Sequence, residues 1–243
     1  MQRGPAVHES HEARRDRRRR DLGLMSIKAI TLDAYGTLLR NESLMLIPQR
    51  IVADHRLSVP VEDVWHAWAA LYFEATQATP FRTLRAIESA NIARLLHSLG
   101  ISASADPYVD LFFEVTTRVE PYPEALAVLD ALADIPAAIV SNADHEHVAA
   151  WPMVWPVQFV LISEAAQAYK PDPLLFRRAV ERLGVAPHEV LHVGDSDVDD
   201  VSGAKAAGLQ VAWVNRDGRR RRPDVPAPDF EIADLTGLLP LLR

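Results

Sequence analysis

Ala29-Ile30-Thr31-Leu32-Asp33-Ala34-Tyr35-Gly36-Thr37 is a short run fit for burial that ends on a carboxylate and a glycine. Residues 29–32 read as a buried strand, and the Asp-to-Gly segment reads as its tight exit turn. An acid at the carboxyl end of a parallel strand faces the crevice where open α/β sheets bind ligands. Asp33 is therefore a candidate nucleophile, and Gly36 lets the backbone turn closely around whatever it attacks.

Similar runs recur along the chain at Ala137–Val140, Phe159–Ile162, Val190–Val193, Val211–Val214 and Phe230–Ile232. Helix-like segments, Ala125–Leu132, Asp144–Ala150, Pro173–Leu183 and Val198–Ala207, alternate with them. That order predicts an α/β, Rossmann-like, doubly wound parallel sheet. Asp172-Pro173 and Gly184 punctuate one helix with a capping acid, a first-turn proline and a terminal glycine.

Residues 41–120 break the alternation. Leu44–His55, Val61–Thr76, Phe81–Leu99 and Tyr108–Val119 carry apolar residues at three-to-four spacing, with breaks at Pro60, Pro80 and Gly100. An insertion this long directly after the candidate nucleophile predicts an all-helical cap subdomain over the site. The expected organisation is an Arg-rich extension at 1–25, a catalytic core at 26–42 and 121–243, and a helical cap at 43–120. Within the cap, Trp65, Trp68, Leu71 and Tyr72 read as a packing stripe and His66 as a surface residue. The aromatic loop 151–156 covers apolar surface.

The chain has 243 residues, 49% of them hydrophobic, enough for a full core. It contains no cysteine, which excludes disulfides, thiolate metal sites and a cysteine nucleophile, and fits a cytoplasmic protein. Residues 1–25 hold seven Arg against Glu9, Glu12, Asp16 and Asp21, a balance of +3, so the remaining residues carry −10 of the total −7. An acidic body does not favour nucleic acid as its ligand, whereas acids gathered in one cleft hold a divalent cation. The Arg14–Arg20 run is expected to be a solvated, disordered extension, with Met25 an alternative start; no aromatic residues interleave to stack on bases. No apolar run reaches 18 residues, so no membrane-spanning helix is expected.

Four polar groups follow the predicted strands in order: Asp33, then Ser141-Asn142, then Lys170, then Gly194-Asp195-Ser196 with Asp200. Parallel strands place such ends on one edge, so these groups should converge. Singly, each is also a common turn or helix cap.

With these four motifs the chain resembles the haloacid dehalogenase superfamily throughout residues 26–243. Asp33-Ala-Tyr-Gly-Thr37 matches its first motif, Ser141-Asn142 its second, Lys170-Pro171-Asp172-Pro173 its third, and Gly194-Asp195-Ser196 followed by Asp200 its fourth. The resemblance implies a Rossmann-like core with an inserted helical cap, and a hydrolase acting through Asp33. In its phosphatase branch Mg²⁺ is held by Asp33, the Tyr35 backbone carbonyl, Asp195 and Asp200. Lys170, Ser141 and the Asn142 backbone N–H then face the phosphoryl group.

Two branches of that family conflict in this sequence. Tyr35 stands where most of the phosphatases carry a second Asp, and the string Asp-Ala-Tyr-Gly-Thr-Leu is similar to 2-haloacid dehalogenases, as is Trp213-Val214-Asn215-Arg216. The fourth motif points the other way: Asp195, Asp197, Asp199 and Asp200 lie close together, and clustered like charges are costly without a cation. The dehalogenases also use a cap arginine in a Trp-Arg context, whose counterpart here is Trp65-His66. The expectation is a Mg²⁺-dependent phosphatase of a small phosphorylated metabolite. The alternatives are a metal-free 2-haloacid dehalogenase using the same Asp33, and a binding or regulatory protein on the same fold. A phosphatase of this kind needs its leaving-group proton from elsewhere, with Asp144, His145 and His66 the candidates.

Overall fold

Side chains on a strand alternate between the two faces of a sheet, and β1 (Ala29–Leu32), buried throughout, divides its side chains between two layers. Ile30 and Leu32 enter one apolar layer, Ala29 the opposite one. The computed structural model describes residues 27–242, so the Arg14–Arg20 run lies outside the described residues. The further strands are β2 (Ala137–Ser141), β3 (Phe159–Ile162), β4 (Val190–Gly194), β5 (Gln210–Val214) and β6 (Phe230–Ile232). All pair in parallel, in the order β3-β2-β1-β4-β5-β6. In β2, Ala137 and Ile139 join the layer of Ile30, and Ala138 and Val140 join that of Ala29.

Between β1 and β2 the chain forms α1 (Leu46–Asp54), α2 (Val61–Thr76), α3 (Leu84–Ser98), α4 (Asp106–Thr117) and α5 (Ala125–Ala131). The first four share an apolar cluster of their own, centred on Ile51, Trp68, Ile87, Leu95 and Phe112. Tyr169, from the loop after β3, enters the same cluster, and its hydroxyl donates to the Arg82 carbonyl at 2.8 Å. No helix among the described residues is long and apolar enough to cross a membrane.

The expected helix at Phe81–Leu99 starts at Leu84 because Thr83 caps it: the Thr83 hydroxyl accepts from the Ala86 N–H. After β2 comes α6 (His145–Ala149), and after β3 comes α7 (Pro173–Leu183), capped by Asp172 and ended by Gly184 at φ +70°. The largest departure from expectation is Val198–Ala207. In place of one α-helix there is a π-helical turn at Asp197–Ser202 and a single α-turn at Gly203–Ala206. Asp200 drives the difference: its Oδ2 accepts from the Ser196 N–H at 2.9 Å, drawing its carboxylate over Gly194, where any Cβ would collide with it. Such one-turn bulges are a frequent device for aiming a side chain.

Candidate active site

The strand register delivers the four motifs to one edge. Leu32 pairs with Ile139 and with Val193, Ser141 pairs with Ile162, and Gly194 pairs with Trp213. Asp33, Ser141, Asn142, Lys170, Asp195 and Asp200 all line a single cavity of about 270 Å³ under α2, α3 and α4. The predicted convergence is therefore met residue by residue.

Lys170 bridges two carboxylates: its Nζ lies 2.5 Å from Asp33 Oδ1 and 2.6 Å from Asp200 Oδ1. The lysine is held by its backbone, whose N–H donates to Asn142 Oδ1 at 2.8 Å and whose carbonyl accepts from Asn142 Nδ2 at 3.3 Å. The Asn142 side chain thus positions the cation. Ser141 is different: its buried Oγ has no hydrogen-bond partner, so a donor stands ready at the cavity wall.

Asp195 completes a trio. One carboxylate oxygen each from Asp33, Asp195 and Asp200 falls within 4.8 Å of the others, an arrangement able to hold a metal ion. Asp195 packs its carboxylate against Gly36, whose φ of +88° and missing Cβ make the approach possible. Its carbonyl is fixed by Trp213 Nε1 at 2.8 Å and Arg219 Nη2 at 3.0 Å.

Burial pushes the Asp33 carboxyl up to about 6 against the pull of Lys170. Burial, with Asp33 and Asp200 beside it, pushes Asp195 well above the usual carboxylate range. Burial also opposes the Asp200 carboxylate, but Lys170 and His192 outweigh it and hold Asp200 below that range. Burial likewise disfavours the Lys170 ammonium, and Asp200 and Asp33 overcome it to hold the charge firmly. One ammonium therefore faces four carboxyls in a low-dielectric pocket, Asp199 being the fourth, a charge imbalance that favours a further cation.

The Tyr35 hydroxyl is bonded away from Asp33. The hydroxyl donates to the Thr116 carbonyl on α4 at 3.0 Å and accepts from Trp151 Nε1 at 3.2 Å. Burial pushes its pKa up strongly, so the hydroxyl is a weaker acid than a free phenol. The aromatic loop 151–156 thus has a contact beyond covering apolar surface: Trp151 ties it to the first motif, while Trp155 is buried in the core.

The three substitute acids are also accounted for. Asp144 caps α3, accepting from the Leu84 N–H at 3.0 Å and the Arg85 N–H at 3.2 Å. His145 pairs with Glu164 at 2.8 Å on the exposed side of α6. His66 is exposed and off the cavity wall. The expected stripe divides: Trp65, Trp68 and Tyr72 line the cavity, so their packing faces include a ligand-facing wall, while Leu71 packs against the helical cluster.

Three buried polar residues escaped the sequence reading. His192 lies within β4, with Nδ1 2.9 Å from Thr31 Oγ1 and Nε2 3.1 Å from Asp200 Oδ1, and so supports the acid from behind. His147 lies on α6 and lines the cavity. Glu88 is fully buried on the apolar stripe of α3, where the recurrence Leu84, Ile87, Ile92, Leu95 leaves an acid out of place. An ionisable residue on an apolar stripe was the available signal in the case of Glu88, and a histidine within an apolar strand in the case of His192.

Comparison with known proteins agrees with this arrangement. Residues 27–208 match the haloacid dehalogenase-like hydrolase family. The chain is similar to phosphoserine phosphatase of Thermus thermophilus, 33% identical over 186 residues that cover 74% of this chain and 69% of that protein. It is also similar to (S)-2-haloacid dehalogenase of Xanthobacter autotrophicus, 29% identical over 78% of this chain and 76% of that one. Among solved structures, L-2-haloacid dehalogenase from Xanthobacter autotrophicus with chloropropionic acid covalently bound superposes with a TM-score of 0.73 at 25% identity, covering 89% of this chain and 98% of the other. The chain belongs to the haloacid dehalogenase-like hydrolases.

Proposed function

We propose that this haloacid dehalogenase-like hydrolase is a Mg²⁺-dependent phosphatase of a small phosphorylated metabolite, with Asp33 as nucleophile and the helices of residues 43–120 as its cap. The observation that carries the reading is the acidic trio: Asp195 is held against Gly36 beside Asp33 and Asp200, and Lys170 is the one ammonium on the cavity wall among the described residues. All donors are oxygens, the ligand type that suits Mg²⁺. Asp33, the Tyr35 carbonyl, Asp195 and Asp200 would hold the ion, and when bound it would offset the charge that otherwise repels a phosphate from Asp33.

The chain's own groups account for the rest. An Asp33 oxygen attacks phosphorus as the bond from phosphorus to the leaving oxygen breaks, giving an aspartyl-phosphate. Water then adds to phosphorus, the bond to Asp33 breaks, and phosphate leaves with the carboxylate restored. Ser141 Oγ, otherwise without a partner, donates to a phosphoryl oxygen, as does the Asn142 backbone N–H, and Lys170 adds positive charge beside them. Asn142's side chain keeps Lys170 in place through both phases.

No proton donor stands at position 35, and general acid help is worth about 10²- to 10⁴-fold. Aryl and acyl phosphates, which leave without a proton, are accordingly the better substrates. Carbon–halogen hydrolysis through the same Asp33 is the competing reading, favoured by the aromatic wall of Trp65 and Phe112 and by the likeness to the dehalogenases. No arginine is found among the described residues lining the cavity, which weighs against it. The deciding experiment measures phosphate release from 4-nitrophenyl phosphate with and without Mg²⁺, beside halide release from 2-chloropropionate, each with Asp33→Asn as control. Mg²⁺-dependent phosphate release supports the phosphatase, metal-independent halide release the dehalogenase. Neither activity would leave a binding protein.

A further inference from the structure

The far wall of the cavity carries an acid that phosphoryl transfer does not use. Glu88 is fully buried on α3, and its Oε2 accepts from Trp68 Nε1 at 2.7 Å, while its Oε1 is buried without any hydrogen-bond partner. Both Glu88 and Trp68 line the cavity that holds Asp33. The Tyr72 hydroxyl lies within electrostatic range of both Glu88 and Asp199 and accepts from Asn142 Nδ2 at 3.4 Å, which ties this wall to the reacting end.

A buried carboxyl oxygen without a partner carries a desolvation cost that a ligand's donor would remove. Trp65, Trp68 and Phe112 line the same cavity, with Trp65 and Phe112 each set edge to face against the Trp68 that Glu88 holds. Aromatic rings beside a single carboxylate form an environment that selects a positively charged nitrogen, through ring electrostatics and one charged hydrogen bond. Burial pushes Glu88 up to about 7, so an arriving ammonium would also draw it into its ionised form.

We propose that Glu88 and the surrounding aromatic wall are the specificity site for an amine, so that the substrate is a phosphate ester bearing an ammonium group a few atoms from phosphorus. The inference rests on the phosphatase reading of Asp33. Lys170, the one ammonium on the cavity wall among the described residues, is already engaged by Asp33 and Asp200. A second anionic group on the substrate therefore has no partner there.

Phosphonates test this without a leaving group. Competitive inhibition of 4-nitrophenyl phosphate hydrolysis is compared for ω-aminoalkylphosphonates of two to four carbons, for alkylphosphonates of equal length, and for their hydroxyl analogues. In the wild-type protein the best amine should bind at least about tenfold more tightly than its alkyl and hydroxyl counterparts, the scale of one charged hydrogen bond. In Glu88→Gln, which keeps an acceptor for Trp68, that ratio should fall to within about twofold of unity. Adding a carboxylate, as in 2-amino-3-phosphonopropionate, should weaken binding. Equal or tighter binding of the alkyl or hydroxyl series to the wild type, tighter binding of the carboxylated amine, or an undiminished ratio in Glu88→Gln would each overturn the proposal. If 4-nitrophenyl phosphate is not hydrolysed, the phosphatase reading has failed instead, and the same ratios read by thermal shift still decide whether the amine is preferred.

Discussion

Replacing His147 by Gln tests how α4 is fastened to α6 beside the sheet. His147 Nδ1 accepts from the Asp144 N–H at 3.2 Å, which fixes the remaining ring proton on Nε2, 3.1 Å from Thr116 Oγ1. The ring packs against Phe113 at 5.0 Å and edge-on to Tyr35 at 6.1 Å, and the charged groups that act on it are Glu146, Arg85 and Glu164. A second proton would sit on Nδ1, facing the Asp144 N–H, and would break that bond. Burial lowers the pKa from its ordinary 6.5 to about 4. The native protein holds fewer protons than the unfolded chain between those values, so stability is full above pH 6.5 and is lost as pH falls towards 4. The loss attributable to this residue is about 2 kcal/mol by pH 5 and about 3 kcal/mol by pH 4. Urea unfolding of wild type and His147→Gln across pH 4 to 7.5 isolates it, because the other titrating groups are common to both. The variant should be the less stable at pH 7.5, and the gap should close or reverse on acidification. Parallel pH curves for the two proteins, or an NMR titration placing His147 near 6.5, would refute the reasoning.

Lys170→Met leaves Asp33 and Asp200 buried without their shared cation and should cost about 3–5 kcal/mol in urea unfolding. Asp195→Asn removes one of three crowded carboxyls, so without metal it should be more stable than wild type. It should also lose the Mg²⁺-induced rise in thermal stability, about 2.7 kcal/mol for wild type at 100 times the dissociation constant; equal Mg²⁺ responses in a thermal melt would count against Asp195 as a ligand. Tyr35→Phe strips the Trp151 N–H of its acceptor and the Thr116 carbonyl of a donor, for an expected loss of about 1–3 kcal/mol in the same unfolding assay.

The strands were legible because each is a short apolar run bounded by turn residues, and the motif residues were legible because they follow those runs directly. Phe159–Ile162 and Phe230–Ile232 coincide with their observed strands, and Val61–Thr76 and Pro173–Leu183 with their helices. The bulged turn at Asp197–Ser202 was not legible, since its apolar spacing suits an ordinary helix and the departure comes from a side chain folding back on the Ser196 N–H. Asp144 illustrates the same limit from the other side. Its spacing marks it correctly as a helix start, but the helix whose N–H groups its carboxylate accepts from is α3, some sixty residues earlier, a tertiary contact that local pattern does not encode. Glu88 was legible only as an acid interrupting the apolar stripe of its helix, and the cavity it lines is a tertiary feature that the stripe does not encode.

Tyr35 shows why one residue in the first motif decides less than its prominence suggests. Read beside Asp33 it points to chemistry at carbon without a metal, because the place of a second acid is taken by a phenol. In the fold, that side chain is committed to Thr116 and Trp151, where it joins the first motif to α4 and to the aromatic loop. Its hydroxyl bears on how the helices of residues 43–120 are held, although the residue also lines the cavity of the acidic trio. The metal question therefore passes to Asp195 and Gly36. An acid forced against a glycine at φ +88°, with Asp33 and Asp200 close by and one lysine among them, raises the energy of the site unless positive charge is added. A protein with no use for a cation gains nothing from that crowding, which a neutral side chain in place of Asp195 would relieve. The leaving-group acid and the proposed metal site are thus separate questions, and the lack of a second acid at position 35 does not argue against a cation held by the trio.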